Sequence, residues 1–217
     1  MFVGHAAVAL AAKVTAPRAS LGTFVAATYA LDLVWPILLL LGIEHVRIDP
    51  GNTAFTALAF DWYPWSHSLV MAFAWGLAGA VLARMMNAAR QTQRLILLVV
   101  VSHWLLDLVT HRPDLPLAPG SSAVFGLGLW NSIAATYAVE GALFAAAIVV
   151  YVRATTAADR VGSIMFWLFV ALLTLIWASQ PLSPPPPSER AIAWVGISGW
   201  LFPLWAWWFD RHRRPSR

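Results

Sequence analysis

The sequence predicts an all-α, polytopic membrane helix bundle, and three observations predict it. Hydrophobic residues make up 60% of the 217-residue chain and charged residues only 11%, against about 25% charged in a soluble domain. Mean hydropathy is +0.69. The apolar residues fall in long runs separated by Pro, Gly and Arg clusters, the pattern of successive spans rather than of amphipathic surface helices. The whole chain, 1–217, reads as one integral membrane domain, with its chemical motifs in 1–117 and further helices in 118–217.

Residues 2–16 form a short apolar helix of about 22 Å, less than the ~30 Å of a hydrocarbon core, and therefore a half-span or re-entrant helix. No basic segment precedes it and Lys13 falls near its end, which makes it a poor signal peptide and a part of the mature protein. Pro17 and Arg18 end it. Ser20 to Gly42 is the first full span. Within it Asp32 precedes Pro36 by four residues, so the proline removes the amide that would bond the Asp32 carbonyl, and a helix interrupted opposite a carboxylate points to a cavity.

Residues 43–65 read as a polar and aromatic interfacial loop with a DPGN turn and the DWYPW cluster. Ser66 to Met86 is the second span, with Ser66 as N-cap and His67 in its first turn. Residues 95–111 follow, then a Pro-rich connection, then 123–152, which carries Asn131 and Glu140. Spans over 162–180 and about 190–209 close the chain, joined by PLSPPPPSER, a polyproline linker. Trp200, Trp205, Trp207 and Trp208 form an interfacial belt before a basic tail. Six full spans plus the partial first helix result.

Charge orients this bundle. Of the 14 Lys and Arg residues, alternating spans leave only Arg47, Arg112 and Arg190 on the side opposite the C-terminus, so the tail is expected in the cytoplasm. The pI near 10.1 comes from these loops and not from a basic stripe, which argues against nucleic acid as partner and leaves membrane lipid.

The most apolar part of the chain carries the most concentrated chemistry. In SHWLLDLVTHRPDLPL, His103, Asp107 and His111 recur every four residues and share one helical face. Ionisable groups in hydrocarbon cost at least about 2.5–3.5 kcal/mol each and require a partner, water or a metal. With His5, Asp32, His67 and Glu140, they make up the intramembrane titratable set, with Asp114 just beyond. Asp107 lies about 6 Å and His103 about 12 Å below the outer end of their helix, so the groups can meet in the outer half of the bilayer. His-x3-Asp offers two ligands to one ion, and imidazole with carboxylate suits zinc, manganese or iron. The chain has no cysteine, so thiolate sites are excluded. The same pair also fits a metal-free interhelical hydrogen bond.

GHAAVALAAK at the N-terminus, Asp32 with Pro36 in DLVWP, WSHSL at 65–69 and SHWLLDLVTHRPDLPL, in this order over residues 4–117, resemble the YdjM-like, LexA-regulated family of membrane-bound metal-dependent hydrolases of the bacterial inner membrane. That family is likened to zinc-dependent phospholipase C, and the resemblance implies His5, Asp32, His67, His103 and Asp107 as metal ligands. The chain departs from the family where a D-x-D-H cluster and an upstream His are usual, since Asp32, Val34, Trp35 and Trp62 stand at the corresponding places. His111 and Asp114 are the residues available to compensate, because Pro113 turns the chain back over the site.

The implied reaction is hydrolysis of an ester or phosphoester, with a lipid among the candidate substrates and with Asp32 or Glu140 as general base. No G-x-S-x-G or P-loop motif supports another hydrolase class. Two other readings use the same residues: a proton- or cation-coupled transporter whose relay runs through Asp32, Asp107, Glu140 and the histidines, and a scaffold in which they only join helices.

Overall fold

The apolar runs fold as helices whose ends are set by the polar residues between them. In the computed structural model, which describes residues 1–216, α1 (Val3–Thr15) is rich in Ala and lies buried against later helices. A turn leads to α2 (Leu21–Thr28), whose N-cap Ser20 Oγ accepts from the Gly22 amide at 3.1 Å, and α3 (Ala30–Leu40) follows after a 54° bend at Tyr29. This bend lies a full turn and more before Pro36, not opposite Asp32 as expected. Pro36 stays inside α3, packed against α9 (Glu189–Ser198), where a Cβ on Gly196 would come within 2.8 Å of the Pro36 ring. The carbonyl of Thr28, at the bend, is instead taken by His103 Nδ1 at 2.7 Å.

Residues 43–65 are more ordered than a loop. β1 (His45–Ile48) and β2 (Leu58–Trp62) pair antiparallel across the DPGN turn, where Gly51 adopts φ +96°, a conformation costly for other residues. The short α4 (Pro64–His67) then precedes α5 (Leu69–Met85). The expected start of this span at Ser66 fails because Ser68 is extended, and its own Oγ caps α5 by accepting from the Met71 amide. α6 (Arg90–Thr110) carries the central motif and ends one residue before His111, which leaves the helical face that His103 and Asp107 share.

β3 (Leu115–Pro116) pairs with β4 (Val124–Phe125), and a 3-10 turn over Leu129–Asn131 leads to α7 (Ile133–Ala154), capped by Ser132. Residues 123–132, expected as the start of a span, are therefore strand and turn, with Asn131 outside the helix. Gly126, against the Arg112 carbonyl, and Gly128 at φ +74° explain why no helix forms there. β5 (Thr155–Ala157) and α8 (Arg160–Ser179) come next, followed by the proline strap. After α9, α10 (Leu201–Asp210) and β6 (Arg213–Pro215) complete the described chain.

Among the described residues, four helices or near-continuous helix pairs are long and apolar enough to cross a membrane: Arg90–Thr110, Ile133–Ala154, Arg160–Leu182 and Glu189–Asp210. The bent α2–α3 pair makes a fifth if it counts as one span, whereas α1 and α5 are shorter apolar helices. An all-α membrane protein follows, though not the expected six full spans. Large apolar side chains such as Leu77, Leu175 and Leu204 face outward, as they do where the surroundings are hydrocarbon.

Packing interleaves the two halves of the sequence. α1 lies against α7, α2 against α10 and α3 against α9, while α5 and α6 pair as neighbours. Gly22 permits one of these approaches, since a Cβ there would fall 2.5 Å from the Pro203 carbonyl oxygen. The hairpin, α4, β3–β4 and the proline strap gather at one end of the bundle. At the other, β5 pairs with β6, and Lys13 Nζ donates to Asp210 at 2.8 Å and to the Ala19 carbonyl at 2.8 Å.

Candidate metal centre

Four elements deliver imidazoles and carboxylates to one place. His5 comes from α1, Asp32 from α3, His67 from the end of α4, and His103 and Asp107 from one face of α6. Two three-ligand groups result among the described residues, His5–His103–Asp107 and Asp32–His67–His103, each with its ligand atoms within 4.8 Å of one another. The i, i+4 spacing on α6 sets His103 Nε2 3.1 Å from Asp107 Oδ2. The bend before α3 and the break between α4 and α5 bring the others to it.

Four atoms outline the centre. His67 Nε2 is 3.4 Å from Asp32 Oδ1 and 4.0 Å from Asp107 Oδ2, and His103 Nε2 is 3.7 Å from Asp32 Oδ1. Ligands bound tetrahedrally at 2.0–2.1 Å lie about 3.3 Å apart, so these spacings are close to those of a shared ion. On the other side of Asp107, His5 Nε2 lies 3.2 Å from Oδ1, its ring stacked on His103 at 3.7 Å and 7°. The α-amino group of Met1 also pairs closely with Asp107 Oδ1.

The surrounding shell sets the tautomers. His103 Nδ1 donates to the Thr28 carbonyl, so in the neutral imidazole the lone pair sits on Nε2, a buried atom 3.1 Å from Asp107 Oδ2. Ser66 Oγ donates to Glu44 Oε2 at 2.6 Å and accepts from His67 Nδ1 at 2.7 Å, so His67 likewise keeps its lone pair on Nε2. Two Nε2 lone pairs then face two carboxylates. Such a donor set is balanced by a cation, and imidazole with carboxylate fits zinc, manganese or iron. His67, His103 and Asp107 are buried, whereas the Asp32 side chain is 39% exposed, which makes it the most open group of the cluster towards the cavity that His67 and Asp107 also line.

Glu44 was legible only as a loop residue, yet it is fully buried and organises α4. Its Oε1 accepts from the amides of Trp65 at 2.7 Å and Ser66 at 2.8 Å, capping the N-terminal end of the short helix that closes on His67. A carboxylate directly after an apolar run was the available signal, but its partners lie some twenty residues away in sequence.

Glu140 and His111 stand apart from the cluster. Glu140 Oε2 accepts from the Phe2 amide at 2.9 Å and reaches Gly4, which places it at the N-terminus of α1, where the helix dipole favours a carboxylate. His111 Nδ1 is 2.9 Å from Asp114 Oδ1, and its ring packs on Trp130 at 4.5 Å. The Tyr63 hydroxyl donates to the same Asp114 oxygen at 3.2 Å, and burial, with Asp114 next, pushes the Tyr63 phenol up and keeps it a donor. His111 thus lines the cavity with its own carboxylate partner.

That cavity, of about 790 Å³, runs from Asp32, His67 and Asp107 to the apolar residues of α8–α10 under the proline strap. The arrangement defines the class: a helical membrane protein with a buried His/Asp cluster able to hold a metal ion. No protein-family model matches the chain, and neither curated proteins nor solved structures supply a match.

Proposed function

We propose that this protein is a membrane-embedded metal-dependent hydrolase of an ester or phosphoester, with zinc, or manganese or iron, held by His67, His103 and Asp107. The observation that carries the reading is the convergence of two Nε2 lone pairs and two carboxylates at ligand spacing beside a cavity. The residues are among those implied by the resemblance to the YdjM-like family. His5, stacked on His103 and bonded to the far oxygen of Asp107, positions both.

An ion held by these residues would polarise a phosphoryl or carbonyl oxygen and lower the pKa of a bound water from 15.7 to about 7. Asp32, on the cavity side, receives the proton from the attacking water and returns it to the leaving group. Glu140, buried against α1, is assigned to holding that helix. The site then lies in the outer half of a bacterial inner membrane, with the basic end and the C-terminus in the cytoplasm.

The test is the metal content of the detergent-purified chain by inductively coupled plasma mass spectrometry, beside Asp107→Ala and His103→Ala. About one or two ions per chain in the wild type, absent from folded variants, is the expected result. A metal-free wild type after reconstitution overturns the reading.

A proton- or cation-coupled transporter is the second reading, and the 54° bend beside Asp32 favours it, because broken helices at membrane depth line transport sites. Metal-independent flux in proteoliposomes, lost on Asp32→Asn, distinguishes it.

A further inference from the structure

The cavity is amphipathic along its length, and its two ends come from different parts of the chain. Asp32, His67, Asp107 and His111, from the first half, supply the polar end. Ile176, Ile192, Val195 and Phe202, from α8–α10, supply an apolar wall, while the hairpin and Pro184–Pro187 cover it. Val195 lines the cavity and is also 73% exposed on a helix pair long and apolar enough to span the membrane. It sits six residues, or about 9 Å, along the helix from Glu189, below the end where that residue accepts from the Val46 amide of the hairpin. The mouth at Val195 therefore lies on the outward face of that helix pair, where hydrocarbon and not water would surround a membrane-spanning segment.

We infer that the cavity binds a lipid phosphoester, with its phosphoryl end at the His/Asp cluster and its hydrocarbon chain along α8–α10. The inference rests on the hydrolase reading only for what happens at the head group; the chain site stands on the cavity walls alone. A volume of about 790 Å³ is within the range of roughly 300–1,000 Å³ of sites that enclose a single small ligand, so it takes one lipid in part and not a bilayer patch. The second half of the chain thereby acquires a role beyond anchoring, since it sets the length and shape of the tail that can bring a phosphoester to Asp32.

The experiment uses the full chain in lipid nanodiscs, a long-chain alkyl phosphodiester with a diazirine at the end of its tail, and peptide mapping by mass spectrometry. Label is expected within 176–202. Val195→Trp, which puts an indole into the mouth, lowers it about tenfold, whereas Val150→Trp, exposed on α7, leaves it unchanged; thermal melting verifies that both variants fold. Long-chain phosphodiester competes with the probe, and inorganic phosphate or ethyl phosphate does not. Label spread over outward faces and indifferent to Val195→Trp overturns the inference, as does competition by inorganic phosphate alone.

Turnover is read separately. Specific label with no cleavage of the probe in the presence of zinc, manganese or iron retains the lipid site and removes the hydrolase. Metal-dependent cleavage of p-nitrophenyl phosphate with diffuse label does the reverse.

Discussion

Replacing Glu44 by glutamine inverts one proton in the shell of the centre and changes almost nothing in volume. In the wild type the Glu44 carboxylate takes the hydroxyl proton of Ser66, which obliges Ser66 Oγ to accept from His67 Nδ1 and leaves the lone pair on Nε2. A glutamine can still accept from the Trp65 and Ser66 amides through one oxygen, but its NH₂ then faces a hydroxyl that was a donor. The hydroxyl turns, its proton goes to His67 Nδ1 or to the Tyr63 carbonyl at 3.3 Å, and the charge that fixed the tautomer is gone. Loss of such a partner weakens metal binding by about 10- to 100-fold, or roughly 1.4–2.7 kcal/mol. Conversion of charge-assisted hydrogen bonds to neutral ones costs the fold roughly 1–3 kcal/mol in addition. The assay is zinc competition against a chromophoric chelator in detergent, with melting temperature measured in parallel. Unchanged zinc affinity in a folded Glu44→Gln protein would refute the relay, and with it the assignment of His67 Nε2 as a ligand.

Other outcomes follow from the same geometry. Asp32→Asn is expected to retain metal while hydrolysis falls by about 10²- to 10⁴-fold, the size of a general-base contribution; equal loss of metal and activity would make Asp32 a ligand instead. Lys13→Met strands the Asp210 carboxylate in a buried site, costing about 3–5 kcal/mol, and the double variant Lys13→Met/Asp210→Asn recovers most of it in thermal denaturation. Gly22→Ala forces α2 away from α10 and lowers stability by about 1–3 kcal/mol, read by the same melt. At the other end, the hydrogen bond from His212, and then the Gly162 amide, hold the Asp159 carboxyl below the usual carboxylate range. Its folded pKa is below its unfolded value of about 3.9, so its contribution is present above that value and is lost as pH falls through the folded one. Amide exchange across β5–β6 is therefore expected to quicken at low pH, and an unchanged rate would show that the tail docks without Asp159.

Local chemistry made much of the bundle legible. Apolar run length predicts helices wherever burial or lipid contact pays for ordering the backbone, and the four-residue spacing of His103 and Asp107 places both on one face whatever the rest of the chain does. The ends of elements were less legible. His111 leaves α6, and residues 123–132 became strand and turn, because Pro113 and the crowded Gly126 act through neighbours that periodicity does not contain. The bend of the second helix moved from Pro36 to Tyr29 for a similar reason: a proline can remain in a helix when packing holds it, as Gly196 does here.

By itself, then, the sequence determined the membrane class, the titratable set and the His103–Asp107 pair on one face of α6, since each depends on composition or on spacing along one helix. Only the tertiary structure decided which of those groups meet, because the decisive partners are far apart in the chain or belong to the backbone. The Thr28 carbonyl orients His103 from 75 residues away, Glu44 orients His67 through Ser66, and Glu140 meets the Phe2 amide at the start of α1. A backbone carbonyl carries no sequence signature, and a carboxylate reveals its role only through what folding brings beside it.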